Sequence, residues 1–130
     1  MPGGLSAFSE LRLLEWMLST VSVTRPTAWW MALHNGAPGE SGLLNELGAG
    51  IGYARQAIGF TSPTNGVIFS AAQLTFGPAT VDWPSVSHFS IFTLANGGNC
   101  LLWGQLKTAK LVKNGNPLVF GAGEVKATLS

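Results

Sequence analysis

The first part of the chain carries a helical pattern of apolar positions. Apolar residues recur at steps of three and four, which is the period of an α-helix. They are Phe8, Leu11, Leu14, Leu18 and Val21. Ser6 can act as the N-cap by accepting a free N–H of the first turn, and the residue before Pro26 disfavours the helical conformation. The pattern therefore predicts a helix from Ser6 to about Ser22.

The apolar side of this helix is wider than one packing surface requires. Arg12, Glu15 and Ser19 form a polar stripe. The apolar arc around the helix is extended by Leu13, Trp16 and Met17. Two interpretations stay open at this point. The helix packs on its own domain, or it also docks onto a neighbouring subunit.

From residue 27 onward the pattern changes to short runs of β-branched and aromatic residues separated by glycine, proline and asparagine. Many short strands with frequent turns are typical of a sandwich or barrel. The predicted strands are 28–34, 52–60, 67–69, 74–76, 87–94, 101–106, 110–112, 118–120 and 124–129. We expect a mainly β fold, an antiparallel, jelly-roll-like β-sandwich with one N-terminal α-helix. The predicted division is an arm and helix over 1–25 and the sandwich over 26–130.

One predicted strand stands out because both of its faces are bulky. Residues 87–94 place Phe89 and Ile91 on one face and His88 and Phe92 on the other. A strand covered on both sides is expected at the centre of a sheet. The glycine-rich turn at 96–99 then predicts a hairpin with the strand that follows.

Charge is scarce in this chain. Seven Lys or Arg and six Asp or Glu residues make up 10% of the 130 residues, against about 25% in typical proteins. So few charges suit a surface that is covered by other protein, in an oligomer or a larger assembly. The net charge of +1 and the lack of a basic run argue against nucleic-acid binding. No apolar run is long enough to predict a membrane span.

Candidate catalytic and metal-binding residues are few. His34 and His88 are far apart in sequence and have no ligand cluster, and the acids form no close pair. The 48–52 glycine loop lacks the Lys-Ser/Thr of a phosphate-binding loop. Glu46 and Arg55 flank that loop, and an ion pair across it is possible. We expect no catalytic residue, no cofactor and no metal, and we expect the single cysteine, Cys100, to be a buried apolar filler.

Aromatic residues supply the candidate binding surface. Five tryptophans in a chain of this size act most often as core or interface anchors. Binding of a glycan stays an alternative for Trp30 or Trp83 if either is exposed. The predicted assembly interface consists of Phe8, Leu11, Leu14, Trp16, Leu18, Trp30 and Trp83.

A series of short motifs, in order, runs through nearly the whole chain. The most recognisable motif is Gly52-Tyr53-Ala54-Arg55-Gln56. The others include Phe8-Ser9-Glu10, Trp30-Met31-Ala32-Leu33-His34, Ala37-Pro38-Gly39-Glu40, Asn45-Glu46, Asn65-Gly66, Leu74-Thr75-Phe76, Asp82-Trp83-Pro84 and Gly97-Gly98-Asn99-Cys100-Leu101-Leu102-Trp103-Gly104. With these motifs the chain resembles a family of small tailed-bacteriophage virion proteins, described as tail-fibre-like or capsid-decoration proteins.

The resemblance implies a non-enzymatic structural protein present in many copies on a virion. The short chain lacks a repetitive shaft, so we expect a capsid decoration or cement protein that bridges capsomers. The partners would be further copies of itself, as a homotrimer, and the phage major capsid protein, with no nucleic acid and no membrane. We expect synthesis in the cytoplasm of the host bacterium and a final location on the capsid surface. The alternative is a tail-associated, receptor- or glycan-binding protein.

Overall fold

A computed structural model describes residues 3–128 of the chain. It contains one helix, α1 (Ala7–Leu18), and nine strands. The strands are β1 (Gly3–Leu5), β2 (Trp30–His34), β3 (Gln56–Ala57), β4 (Val67–Phe69), β5 (Leu74–Phe76), β6 (Val86–Phe92), β7 (Cys100–Lys110), β8 (Leu118–Phe120) and β9 (Lys126–Thr128). All strand pairs are antiparallel. The predicted fold class, mainly β with one helix near the N-terminus, is confirmed.

The strands form one large sheet and two small ones. The large sheet has the order β1-β7-β6-β2-β3, and the pairs β4-β9 and β5-β8 form the two-stranded sheets. β6 lies in the middle of the large sheet and is joined to β7 by the turn at 96–99, as the sequence predicts. This arrangement is compatible with a jelly-roll-like sandwich.

The main core lies on one face of the large sheet. Met31 and Leu33 of β2 and Phe89 and Ile91 of β6 point towards the small sheets and belong to one buried cluster. The other members of this cluster are Leu47, Ile58, Leu74, Phe76, Ala79, Trp83, Val86, Val112, Leu118, Phe120 and Val125. Side chains alternate between the two faces of a strand, so Met31, Leu33, Phe89 and Ile91 all lie on the same face of the sheet. This part of the core follows from the period-2 pattern of the two strands.

The opposite face of the large sheet has a smaller buried cluster, formed by Ala32, Phe92 and Cys100. Gly42, from the loop between β2 and β3, lies directly against this cluster. A Cβ built on Gly42 would sit 2.3 Å from the Cys100 Sγ, so no larger residue fits there without a shift. Both faces of β6 are therefore covered, as its bulky alternation predicts.

Several boundaries differ from the sequence prediction. α1 ends at Leu18, and only Gln56–Ala57 of the predicted strand 52–60 forms a strand, while Phe60 makes an isolated bridge with Ser70. Residues 110–112 are not a separate strand, because β7 continues to Lys110. Leu129, at the end of the last predicted strand, lies outside the described residues.

The predicted N-terminal arm contains a strand that the sequence does not predict. Pro2 lies outside the described residues, but Gly3–Leu5 pairs with β7 as an edge strand. Two glycines give no strand signal, so this pairing depends on the tertiary contact alone.

Candidate functional site

The start of α1 is fixed to the large sheet by one buried serine. Ser6 caps the helix by accepting the N–H of Ser9 at 3.1 Å, and its hydroxyl donates to the carbonyl of Cys100. The N–H of Ser6 also donates to the Leu101 carbonyl, and that of Ala7 to the Glu40 carbonyl. The predicted N-cap is confirmed, and it holds the helix at a defined place beside β7.

Beyond this anchor the helix stands largely in solvent. None of its residues is buried. Five of its large apolar side chains are more than half exposed: Leu11 52%, Leu14 53%, Trp16 68%, Met17 53% and Leu18 79%. Val21, after the helix, is 53% exposed. Contiguous apolar surface of this kind marks a contact with another molecule more often than a free surface.

A groove separates part of α1 from its own domain. Phe8, Arg12, Leu13 and Trp16 line one wall, and the extended segment 23–26 lines the other. Leu5, Ser9, Thr93, Asn99 and Leu101 complete the lining. The guanidinium of Arg12 lies 5.4 Å from the centre of the Phe8 ring and 3.0 Å from the Glu15 carboxylate. Of the polar stripe that the sequence predicts, only Arg12 lines this groove, beside Phe8, Leu13 and Trp16.

The predicted interface residues fall into three places. Phe8, Leu11, Leu14, Trp16 and Leu18 lie together on α1, as their helical spacing requires. Trp30 is half-buried in β2. Trp83 is 5% exposed in the core, where its indole N–H donates to the Ile51 carbonyl at 2.7 Å. The structure thus brings five of the seven residues together and places Trp83 away from the surface.

A cluster of polar side chains lies under the hairpin between β6 and β7. The Arg55 guanidinium donates to both carboxylate oxygens of Glu46, each at 2.9 Å. The Tyr53 hydroxyl donates to the same carboxylate at 2.6 Å and accepts the Leu33 N–H at 3.2 Å. We call Glu46, Tyr53 and Arg55 the carboxylate clamp. The ion pair across the 48–52 loop that the sequence left open is present.

Arg55 also ties the clamp to the hairpin. Its second terminal nitrogen donates to the carbonyls of Leu94 and Gly97, at 3.0 and 2.7 Å. The guanidinium carbon lies 3.8 Å from the centre of the Phe92 ring, a close cation–π contact. The Arg55 side chain is only 7% exposed. One arginine thus connects the β2-β3 loop, the end of β6 and the turn at 96–99.

The charges of the clamp reinforce one another. Burial raises the pKa of the Glu46 carboxyl, but the hydrogen bonds from Arg55 and Tyr53 outweigh this and hold its pKa below the usual value. Burial lowers the pKa of Arg55, and the bonds to Glu46 more than offset this. Burial and the bond to Glu46 raise the pKa of the Tyr53 hydroxyl. Glu46 and Arg55 therefore remain ionised over the whole neutral range, and the Tyr53 hydroxyl remains protonated.

His34 and Ser90 form a second buried polar contact on the same face of the sheet. The His34 Nδ1 lies 2.8 Å from the Leu44 carbonyl, so this nitrogen carries the proton and donates it. The Nε2 atom then accepts the Ser90 hydroxyl at 2.7 Å. Both residues are completely buried, and burial lowers the pKa of His34. A serine–histidine pair that solvent does not reach orders the sheet and the 35–46 loop.

His88 and Cys100 also have their contacts within the fold. His88 is half-buried beside Trp103, its Nδ1 lies 2.7 Å from the Ser87 hydroxyl oxygen, and burial lowers its pKa. Cys100 is buried, as the sequence predicts, and burial raises its thiol pKa to about 11. Within residues 3–128 no group of three His, Cys, Asp or Glu side chains lies close enough together to hold a metal ion.

The sequence prediction missed Tyr53, the uncharged member of the clamp, which it placed in the predicted strand 52–60 without a partner. A signal was present, because Tyr53 and Arg55 alternate in the most recognisable motif and therefore point to the same side of an extended segment.

A family model for the podophage GP4 fiber I protein gp80 matches residues 4–128. The chain belongs to this family. The match includes α1, the clamp and every strand from β2 to β9. No curated protein matches the chain.

Membership of this fibre family confirms the resemblance drawn from the sequence motifs. The chain is a structural protein of a phage virion, and its final location is the virion. Within residues 3–128 no helix has the length and apolar character needed to cross a membrane.

Proposed function

We propose that this chain is a non-enzymatic subunit of a phage tail-fibre apparatus that assembles with other copies of itself. The observation that carries the proposal is the exposed apolar surface of α1, on a chain whose family is described as a fibre protein. The fibre description favours the tail-associated alternative over the capsid decoration expected from the short chain.

The physical role is that of a rigid adaptor. The carboxylate clamp and the two faces of core packing fix the large sheet, and the Ser6 anchor fixes α1 relative to that sheet. A rigid base beneath an apolar helix keeps the ordering cost of assembly low, because the contact surface is already formed. Many copies that bind only in the assembled state stabilise that state by mass action.

The same proposal includes that the chain catalyses no reaction. It is supported by the complete burial of His34 and Ser90 and by the structural partners of Glu46. Each group with unusual ionisation already has a partner within the fold. No step of a reaction is needed to explain their positions.

The location of the protein in the particle tests this function. Purified virions are labelled with antibody against the chain and imaged, and copy number is measured by quantitative mass spectrometry. We expect label at the tail and a low copy number. Label over the whole head with hundreds of copies would overturn the fibre assignment in favour of a capsid decoration protein that bridges capsomers and contacts the major capsid protein.

A second candidate function, recognition of a host glycan, is favoured by one aromatic groove. Trp29 and Phe60 meet edge to face at 6.5 Å and line a groove of about 430 Å³ with Arg25 and Ser62. Trp83 lies in the core and offers no such platform. Binding of the chain to host cells that a Trp29→Ala variant loses would support this role, and equal binding by both proteins would contradict it.

A further inference from the structure

The β1-α1 segment, residues 3–18, is bonded to the rest of the chain at its start. β1 forms three residue pairs with β7. Beside them, the N–H and hydroxyl of Ser6 and the N–H of Ala7 donate to three further acceptors. These acceptors are the carbonyls of Leu101, Cys100 and Glu40. In the part of the chain that the structure describes, no hydrogen bond or ion pair joins residues 8–28 to residues 29–128.

The packing of α1 against its own domain is loose. None of the helix residues is buried. A groove of about 800 Å³ runs between the helix and the domain, and Leu13 and Trp16 line this groove. Residues 3–7 therefore supply most of what holds the β1-α1 segment in place.

The segment that follows α1, residues 19–28, acts as a linker. It forms neither helix nor strand, and all of its side chains are exposed except Val23 and Pro26, which are half-buried. The Val21 N–H donates to the Ser19 hydroxyl within the linker itself. Extended chain of this length reaches up to about 33 Å. A linker that buries so little surface can take a different path at small cost.

The place that the β1-α1 segment occupies fits the same segment of a second copy. Identical chains carry the same β7 edge and the same three carbonyls, so a segment from a neighbouring copy makes each of these bonds again. Exchange then replaces contacts within one chain by the same contacts between chains, which is the arrangement of a domain-swapped oligomer. The structure thus shows directly which surface a second copy would use and which segment would cover it.

The linker sets the concentration at which exchange competes with the closed chain. A short flexible linker holds its own segment near its site at an effective concentration in the millimolar range. Copies that are gathered at such a concentration, as in an assembling fibre, exchange segments by mass action. Diluted copies keep their segments to themselves.

We infer that copies of this chain assemble by exchanging the β1-α1 segment, so that β1 of one copy pairs with β7 of a neighbouring copy. The inference rests on the proposed self-assembly and names the segment that performs it. It concerns the purified chain, whereas the proposed function is tested by the position of the protein in the particle. Either can therefore fail without the other.

A disulfide between two different chains tests the exchange. Leu5 and Leu102 lie directly opposite each other in the β1-β7 pair, and residues so paired have the Cα separation that a disulfide needs. Two full-length variants, Leu5→Cys and Leu102→Cys, each also carry Cys100→Ala to remove the native thiol. They are mixed in equal amounts at about 1 mM, left to equilibrate and mildly oxidised.

We expect the disulfide between the two variants in about a quarter of the chains, because about half of the segments lie on another copy at this concentration and half of those copies are the other variant. A mixture of Leu111→Cys with Leu102→Cys is the control for random collisions, since Leu111 is 74% exposed outside the segment. Its yield should be at least about tenfold lower, as should that of the first mixture diluted to about 10 µM. A first mixture that yields no more than the control would overturn the inference.

A locked chain gives a second, independent readout. Leu5→Cys and Leu102→Cys are placed on one chain, again with Cys100→Ala, and oxidation at low concentration ties the segment to its own β7. Light scattering at about 1 mM should show a monomer for the locked chain and a larger mass after reduction, with the same circular dichroism in both states. A locked chain that associates as strongly as the reduced chain would overturn the exchange, because the copies would then meet through another surface.

Discussion

At the scale of single residues, Arg55 carries more contacts than any charge-pattern argument suggests. It binds Glu46 with two hydrogen bonds, two hairpin carbonyls with two more, and the face of Phe92. The hydrogen bonds of this buried guanidinium replace those that it would make with water. When the side chain is removed, the groups around it are left buried without a partner.

We predict that Arg55→Met destabilises the chain by about 3 kcal/mol, because it leaves the Glu46 carboxylate half-buried without a cation. Urea denaturation measures the loss. Lys113→Met is the control, since Lys113 pairs with Asp82 at 3.7 Å while both side chains are more than 60% exposed, and we expect less than about 0.5 kcal/mol there. Equal losses for the two variants would show that the clamp adds nothing to stability.

His34 predicts a pH dependence of stability. Its pKa is lowered by burial, so the folded chain binds fewer protons than the unfolded chain below the usual histidine pKa of about 6.5. Stability is therefore complete above that pH and falls as the pH drops below it. Glu46, whose pKa is also lowered by its partners, adds a second loss below about pH 4.5.

Melting temperatures measured from about pH 7.5 to about pH 5 test this prediction. We expect a fall in the wild type that is smaller in His34→Gln, which keeps polar atoms but does not titrate. His88→Gln is the comparison, since His88 is only half-buried. A His34→Gln variant with the same pH profile as the wild type would rule out His34 as the source.

At the scale of elements, the loop at 48–52 contains two glycines with a positive φ, of which one is also packed against a neighbouring turn. Gly52 has a φ of 85°, and a Cβ there would lie 2.3 Å from the Pro78 carbonyl oxygen. Gly50 has a similar φ of 81°, but nothing lies within 4 Å of its added Cβ. Both glycines need the left-handed region, and only Gly52 is also pressed against a neighbouring turn.

We predict that Gly50→Ala costs about 1 kcal/mol, the backbone term alone, and that Gly52→Ala costs at least about 3 kcal/mol, since the Pro78–Thr80 turn must move. Chemical denaturation of the two variants separates backbone strain from steric clash. A smaller loss for Gly52→Ala than for Gly50→Ala would show that the turn moves without cost.

At the scale of the whole molecule, low charge and an exposed helix belong together. Thirteen charged residues in 130 give a surface that water solvates poorly. Among the described residues, five of the ten large apolar side chains that are more than half exposed lie on α1. The sheet buries its own side chains on both faces and leaves the helix free. The helix therefore suits contact with other molecules.

Self-association through such a surface should resist salt. We predict that raising NaCl from about 0.05 M to about 1 M leaves the oligomer mass unchanged or increases it, because apolar contacts are not screened as ion pairs are. Sedimentation across the salt series measures this. Dissociation at high salt would indicate an interface made of charges such as Arg25 and the lysines of β7.

The sequence by itself determined the helix with its cap at Ser6, the central position of β6, the hairpin at 96–99 and the family. These depend on local periods and turn residues that act over a few positions. Only the tertiary structure decided that Trp83 enters the core, that Gly3–Leu5 becomes a strand, and that Tyr53 joins Glu46 and Arg55. These outcomes depend on contacts between residues distant in sequence, which no local period encodes. The leucines of α1 show the division most clearly, because their spacing predicts one apolar line and only the position of the sheet decides that this line faces away from it.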